Sequence, residues 1–272
     1  MEQHGAAFFD LDKTLIEGSS ALHFGRAAYK HGMISRRRLA RDAWANLRFR
    51  MRGSTDQITD ELRDRILDSI AGQRVVDLRR LGPDVLAGIL PLLYREVLDE
   101  AYAHQDVGRP AFIVTAAAQE LAAVLAHVLA FDGGIGMRSE EKDGVYTGRL
   151  AGPFTYREGK AEAIRELAAR DGIDLAESYA YSDSESDLPM LRAVGHPVVV
   201  NPDAALERIA RAEGWRIMRF DRLGPMLKIG GTVVSVALVG GGGGYAVARL
   251  RLRDRARRAL RRRRPRLPLP RG

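Results

Sequence analysis

The sequence contains no cysteine. This absence excludes disulfide bonds, thiolate metal sites and cysteine nucleophiles, and it is compatible with a reducing compartment. The first seven residues also lack a basic segment followed by an apolar one, because Glu2 and His4 precede a strand-like stretch. We therefore expect no cleaved secretory signal and a cytoplasmic chain.

Most of the chain carries no net positive charge. The net charge is +8, but residues 249–272 hold 12 arginines and a single aspartate. The other 248 residues carry 31 basic and 34 acidic side chains, a net charge of −3. The basic character belongs to the tail. Nucleic acid is therefore disfavoured as a partner, and an anionic membrane surface is the candidate partner of the tail.

A long uncharged stretch precedes this tail. Residues 229–248 could cross a bilayer by length, but seven of these 20 residues are glycine, which disfavours a helix. The positive-inside rule would also place the main domain outside the cell. A membrane span, a peripheral anchor and a flexible linker all stay open. Residues 229–272 are thus the candidate region for membrane association.

Short apolar runs alternate with helical patterns along residues 6–213. The predicted strands are Ala6–Leu11, Ala111–Val114, Tyr179–Ser182 and Pro197–Val200. The predicted helices between and after them are Gln119–Ala130, Lys160–Arg170 and Ala204–Glu213. This alternation predicts a doubly wound, Rossmann-like α/β fold with a parallel sheet.

The stretch after the first strand has a different character, because it is rich in arginine and compatible with helix. It predicts a helical cap over residues 16–102, inserted into a core domain formed by residues 1–15 and 103–222. Residues 223–272 form the glycine-rich segment and the tail. A β-hairpin is predicted around Asp143 and Gly144, in the core domain.

Two acidic motifs follow predicted strands. Asp10 and Asp12 lie two positions apart in a strand-to-loop turn, and Asp183 and Asp187 follow the strand that ends at Ser182. Close carboxylates repel, and a hard divalent ion such as Mg²⁺ is the usual partner of an all-oxygen site at such a sheet edge. Solvated acidic loops or a helix N-cap are the alternatives for each motif taken alone.

A hydroxyl and an ammonium complete the pattern. Thr115 ends one predicted strand, and Lys160 begins a predicted helix. A transferred phosphoryl group needs donors of this kind on its oxygens. Most threonines and lysines in such places are capping or surface residues. The prediction of a phosphoryl-transfer site therefore depends on all four segments following element boundaries in one α/β pattern.

This ordered set resembles the haloacid dehalogenase superfamily, specifically the subfamily IB hydrolases related to phosphoserine phosphatase. The resemblance covers about residues 6–220 and is close over Asp143–Pro153 and from Gly159 to Pro202. It implies that Asp10 attacks phosphorus and that Asp12 protonates the leaving alcohol and then activates water.

The resemblance also implies partners for these two groups. Mg²⁺ would be held by Asp10, the main-chain carbonyl of Asp12 and Asp183. Thr115 and Lys160 would bind phosphoryl oxygens, and Asp187 would steady Lys160. The second carboxylate, Asp12, favours phosphoryl transfer over dehalogenation, which needs no acid for a departing alcohol.

The candidate substrate-binding residues are Thr14, Ser19, Arg65 and Ser186. Ser19 stands where phosphoserine phosphatases of this type have a glutamate that helps to hold the amino acid, which weakens phosphoserine as the substrate. Arg65 lies in a stretch, residues 62–65, that resembles the corresponding part of the cap.

The sequence therefore predicts a Mg²⁺-dependent phosphomonoester hydrolase acting through an aspartyl phosphate. Its substrate would be a small phosphorylated metabolite, phosphoserine-like, or a lipid headgroup. The alternatives are a catalytically weak phosphoacceptor and a membrane-surface or nucleic-acid-binding protein that uses the arginine tail. The oligomeric state stays open.

Overall fold

The computed structural model describes residues 4–35, 37, 63, 64 and 66–220. The strands are β1 (Ala7–Phe9), β2 (Ala111–Ala118), β3 (Gly133–Met137), β4 (Ser139–Lys142), β5 (Val145–Leu150), β6 (Tyr179–Ser182), β7 (His196–Val200) and β8 (Arg216–Met218). The helices are α1 (Ser20–Lys30), α2 (Val75–Arg79), α3 (Gly82–Ile89), α4 (Arg95–Asp106), α5 (Gln119–Val128), α6 (Glu158–Asp171), α7 (Leu188–Leu191) and α8 (Ala204–Ala212).

Six strands form one parallel sheet in the order β3-β2-β1-β6-β7-β8. β1 is at the centre, with Phe9 opposite Ile113 of β2 and Tyr181 of β6. Its three residues are apolar and fully buried because helices cover both faces of the sheet. The predicted doubly wound α/β fold is confirmed.

The two faces of the sheet pack against different helices. Phe9 faces a core cluster that contains residues of α1, α3, α4 and α5, and Phe8 faces a second cluster with residues of α6, α7 and α8. Successive side chains of a strand point to opposite faces, so these two neighbours connect two separate cores. Burying a side chain of this size contributes about 1.5–3 kcal/mol each.

The helix that begins before Lys160 has a well-defined start and end. Gly159, in its first turn, leaves no room for a side chain, since an added Cβ would lie 1.8 Å from the carbonyl oxygen of Phe154. At the other end, Gly172 has φ 71° and ends α6 in the left-handed conformation. Residue 160 is thereby fixed against the loop that precedes the helix.

The two ends of the insert that follows β1 lie side by side and are joined by main-chain hydrogen bonds. Glu17 donates its N–H to the carbonyl of Leu92, and Tyr94 donates to the carbonyl of Leu15. Within the insert, α1 packs on α3 so closely that a Cβ on Gly88 would lie 2.4 Å from Nδ1 of His23. The helices α1, α2 and α3 agree with the helical character predicted for this region. Its arginine-rich part, including Arg65, lies outside the described residues.

The hairpin was predicted correctly. β4 and β5 are antiparallel and joined by Asp143 (φ 53°) and Gly144 (φ 77°), as expected for a two-residue turn of this type. The hairpin forms a two-stranded sheet of its own, and its Tyr146 pairs with Gly72 and Gln73 of the insert through main-chain bonds.

The division into domains remains a prediction. The described residues up to Phe220 form one compact unit, the first of the two into which the chain divides. Within the first unit, α4 begins at Arg95, before the predicted end of the cap at residue 102, and Val97 and Ala101 lie in the same core cluster as Phe9. No helix among residues 4–35 and 66–220 is long and apolar enough to span a membrane, and the stretch 229–248 lies outside the described residues.

Candidate active site

The carboxyl ends of three neighbouring strands lie at one edge of the sheet. Asp10 follows β1 directly, Thr115 belongs to β2, and Asp183 follows β6 on the other side of β1. Asp10 also donates its N–H to the carbonyl of Tyr181 in β6. Segments far apart in the sequence thus meet at the edge where open α/β sheets bind ligands.

The ammonium of Lys160 joins Asp10 to Asp187. Nζ donates to Oδ1 of Asp10 at 2.5 Å and to Oδ2 of Asp187 at 2.7 Å. The three side chains are only 4%, 9% and 3% exposed, respectively, so water contributes little to their solvation. Removing Lys160 would leave two buried carboxylates without their shared cation, which is strongly unfavourable.

Burial and neighbouring charges act on the protonation of this set. Burial raises the pKa of Asp10, the ammonium of Lys160 lowers it, and repulsion from Asp187 and Asp183 raises it further, so that the net change is upward. For Lys160, burial alone would lower the pKa, but the carboxylates of Asp10 and Asp187 more than offset it, and the pKa is raised. Lys160 therefore carries its proton at neutral pH.

Asp183 lies beside a more exposed lysine. Burial raises the pKa of Asp183 to about 6, although Lys13, whose Nζ lies 3.3 Å from Oδ2, acts in the opposite direction. Lys13 has φ 61°, a conformation uncommon for a residue with a side chain. Three carboxylates, those of Asp10, Asp183 and Asp187, therefore share two ammonium groups. This excess of negative charge fits an additional cation.

The donors at this edge fit a hard divalent ion. Asp10 and Asp183 offer carboxylate oxygens, which Mg²⁺ prefers, and the chain contains no cysteine thiolate. Among residues 4–35 and 66–220 no group of three or more His, Asp or Glu side chains has the geometry of a metal site. A metal ion here would need further oxygen ligands in addition to the two carboxylates.

Asp12 is held by the start of α1. Its Oδ2 accepts a hydrogen bond from Oγ of Ser19 at 2.9 Å, and its Oδ1 accepts one from the N–H of Ser20 at 2.7 Å. Ser19 was predicted as a substrate-binding residue, and its hydroxyl is in contact with Asp12. The Asp12 side chain is half-buried.

The remaining predicted site residues lie in different surroundings. Thr115 is buried, and its Oγ1 accepts the N–H of Ala117 at 3.1 Å. Thr14 is fully buried, and its Oγ1 has no hydrogen-bond partner among the described residues. The hydroxyl of Ser186 lies 3.0 Å from that of Ser184. The contacts of Arg65 lie outside the described residues.

Sequence reasoning missed one buried hydroxyl. Ser182, the last residue of β6, donates from Oγ to Oδ2 of Asp187 at 2.7 Å and is fully buried. The same carboxylate oxygen accepts from Lys160, while its partner Oδ1 is buried without a hydrogen bond. The sequence alone shows only that a serine ends this strand next to Asp183, which does not identify the acceptor of its hydroxyl.

Known proteins share this fold and this sequence pattern. The family model of the haloacid dehalogenase-like hydrolases matches residues 7–192. A probable phosphatase of Mycobacterium tuberculosis is 40% identical over 218 residues, which are 80% of this chain and 76% of that protein. A phosphoserine phosphatase of the same organism is 39% identical over 219 residues, which are 79% of this chain and 70% of that protein.

A solved structure agrees with these relatives. The crystal structure of a protein of unknown function from Bordetella pertussis superimposes with a TM-score of 0.69 at 28% identity, and the match covers 80% of this chain and 99% of that chain. The family match includes β1, the insert, α6 and the segment that carries Asp183 and Asp187. The chain therefore belongs to the haloacid dehalogenase-like hydrolase family, as one of its phosphatases, and is related to phosphoserine phosphatases.

Proposed function

We propose that this phosphatase hydrolyses small phosphomonoesters through a covalent aspartyl phosphate on Asp10, with Mg²⁺ as its metal. The observation that carries the proposal is the buried ammonium of Lys160, which bridges Asp10 and Asp187 at the carboxyl edge of the sheet. A charge set of this kind stabilises negative charge that develops on a phosphoryl group beside Asp10.

In the first half of the reaction, an oxygen of Asp10 attacks phosphorus while the bond from phosphorus to the leaving oxygen breaks. Asp12, two residues further on, gives its proton to that oxygen, so the alcohol leaves neutral. In the second half, Asp12 takes a proton from water as the water oxygen attacks phosphorus and the bond from phosphorus to the Asp10 oxygen breaks. Inorganic phosphate leaves, and both carboxyl groups return to their starting states.

The other residues bind and orient. Lys160 and Thr115 would donate to phosphoryl oxygens, and Asp187 would hold Lys160 in place, itself held by Ser182. Asp10, the carbonyl of Asp12 and Asp183 would hold Mg²⁺, which supplies positive charge to the phosphoryl oxygens when it is bound. Thr14, Ser186 and Arg65 stay candidates for contacts to the substrate.

Two classes of substrate fit the proposed reaction. A small phosphorylated metabolite is supported by the related phosphoserine phosphatase, and a lipid headgroup is a second candidate because of the arginine tail. Ser19 in place of a glutamate argues that an amino group on the substrate is not held as it is in phosphoserine phosphatases of this type.

Steady-state assays with p-nitrophenyl phosphate and Mg²⁺ test the proposal. Asp10→Asn keeps the shape of the side chain but removes the nucleophilic oxygen, and we expect turnover to fall to background while the thermal unfolding curve stays cooperative. A panel of phosphorylated metabolites and lysophospholipids then ranks the substrates by kcat/KM. Turnover by Asp10→Asn at the rate of the unchanged protein would rule the proposal out.

A further inference from the structure

The N-cap residue of α1 does not cap its own helix. Serine is favoured at this position because its hydroxyl accepts a hydrogen bond from a free N–H of the first turn. Ser19 has the extended backbone of an N-cap residue (φ −133°, ψ 127°), but its side chain makes no capping bond. Oγ donates instead to Oδ2 of Asp12 at 2.9 Å.

The main chain of the same turn holds the other carboxylate oxygen. The N–H of Ser20 donates to Oδ1 of Asp12 at 2.7 Å, so both oxygens of Asp12 are fixed by two consecutive residues. The positive end of the helix dipole also favours a negative charge at this place. Each carboxylate oxygen has two lone pairs, so one on each oxygen stays available for a proton.

The path of the chain makes this contact possible. Gly18 has φ 94°, a conformation that side chains disfavour, and there the chain turns so that the start of α1 faces Asp12. The segment just before it is fixed, since the N–H of Glu17 donates to the carbonyl of Leu92 at the other connection of the insert. Asp12 is thereby attached to the first helix of the insert as well as to the loop after β1.

We infer that Ser19 is a positioning residue that orients the proton-transfer carboxylate of Asp12 toward the leaving oxygen. This inference rests on the proposed function. The loss of a favourable helix cap in exchange for a bond to Asp12 is the kind of local departure that occurs at functional sites. Ser19 thus determines how well the enzyme handles esters whose alcohols leave poorly, because those esters depend most on protonation.

Two aryl phosphates that differ in leaving group separate this role from substrate binding. The phenolate of p-nitrophenyl phosphate leaves with little protonation, whereas phenyl phosphate depends on it more. For Ser19→Ala we expect kcat on phenyl phosphate to fall about 10-fold, as for loss of a hydrogen bond to a charged group, and kcat on p-nitrophenyl phosphate to fall less than about 2-fold. Ser19→Thr keeps the hydroxyl and should restore much of the loss.

Ser69→Ala is the matched control. Its hydroxyl donates to the carbonyl of Ile66 inside the insert, so the variant loses a comparable bond without a contact to Asp12. It should leave the ratio of the two kcat values unchanged. Thermal unfolding of Ser19→Ala should stay cooperative, since Ser19 makes no capping bond to its own helix.

Combining Ser19→Ala with Asp12→Asn gives the decisive comparison. If Ser19 acts through Asp12, Ser19→Ala should reduce kcat no further in the Asp12→Asn background, because residues that act as a unit are not additive. Full additivity, an equal loss on both aryl phosphates, or a change confined to KM would overturn the inference. Loss of activity in Asp12→Asn together with an unaffected Ser19→Ala removes only this inference, whereas an unaffected Asp12→Asn removes the proposed function itself.

Discussion

Lys160 lies between two carboxylates with almost no contact with solvent, and this arrangement makes its charge essential to the fold as well as to the site. In Lys160→Met, Asp10 and Asp187 lose their shared ammonium and stay buried. We expect phosphatase activity to be lost and the free energy of unfolding to fall by about 3–5 kcal/mol, the cost of breaking a buried ion pair from one side. Urea denaturation at pH 7 measures the change in the free energy of unfolding.

The control is a lysine in an exposed ion pair. Lys30 contacts Asp84 at 2.6 Å, but its side chain is 68% exposed, so solvent screens the pair. Lys30→Met should change neither activity nor the unfolding midpoint measurably. Equal effects of the two substitutions would mean that the Lys160 bridge is not a special feature of the molecule.

The raised pKa of Asp183 leads us to expect that, without metal, the protein becomes less stable as the pH rises. Burial raises its pKa from 3.8 to about 6. A carboxyl group with a raised pKa binds its proton more tightly in the folded state, so the free energy of unfolding decreases as pH rises from about 4 to about 6 and stays lower above that range. Asp183→Asn removes this penalty, which is about 3 kcal/mol for a shift of this size.

Thermal unfolding in EDTA tests this sign. At pH 8 Asp183→Asn should melt at a higher temperature than the unchanged protein, and the two curves should converge below pH 4. Adding Mg²⁺ should raise the melting temperature of the unchanged protein only. The control is Asp171→Asn, since the neighbouring guanidinium of Arg170 lowers the pKa of Asp171, and this exposed substitution should give no gain. A lower melting temperature of Asp183→Asn at pH 8 would contradict the argument.

Motif spacing pointed to residues that the structure brings together, but not to all of their contacts. Lys160 contacts Asp187, as the resemblance implied, and it also contacts Asp10. The hydroxyls of Ser182 and Ser19 could not be assigned in the same way. Serine is common at strand ends and helix starts, and only the positions of neighbouring elements show which acceptor a hydroxyl reaches.

At the scale of elements, the start of α6 determines the position of Lys160. An added methyl group on Gly159 would overlap the carbonyl of Phe154, so Gly159→Ala must displace the first turn of the helix. We expect a loss of about 2 kcal/mol in stability, as for other overpacked positions, together with a large fall in kcat. Guanidinium denaturation and the p-nitrophenyl phosphate assay measure the two effects.

Another glycine at a helix start serves as the control. Gly82 begins α3, and a Cβ there would meet no atom within 4 Å. Gly82→Ala should therefore leave kcat unchanged and stability nearly so. If Gly159→Ala behaves in the same way, the close contact at the start of α6 does not fix Lys160.

The elements that were predicted well are those with a strong local pattern. β1, β6 and β7 are short buried apolar runs, and α8 lies within one residue of its predicted range, with Asp203 as its N-cap. β3 and β8 were not predicted. β3 contains three glycines, and β8 has three residues beginning with an arginine, so their strand character comes from pairing at the sheet edges, not from their own sequences.

At the scale of the whole molecule, charge separates the chain into two parts. The residues proposed for the site lie between positions 10 and 187, whereas the 12 arginines of the tail lie between positions 249 and 272. We expect a chain truncated after Phe220 to keep kcat and KM for p-nitrophenyl phosphate and to keep its melting temperature.

A vesicle-binding experiment tests whether the tail binds an anionic lipid surface. If the tail binds an anionic surface, the full chain should sediment with anionic lipid vesicles at low salt, and the truncated chain should stay in the supernatant. Vesicles of neutral lipid are the control. Equal sedimentation of the two chains would show that the tail is not the docking element.

The central step of the proposed reaction is the formation of a covalent bond between phosphorus and Asp10. Acid quenching of Asp12→Asn during turnover of p-nitrophenyl phosphate, followed by peptide mass spectrometry, tests that bond directly, because this variant should release its phosphoryl group slowly. We predict a phosphorylated peptide with the modification on Asp10, which is absent from the double variant Asp10→Asn, Asp12→Asn. A phosphoryl group on a different residue, or turnover without any phosphorylated peptide, would contradict the account.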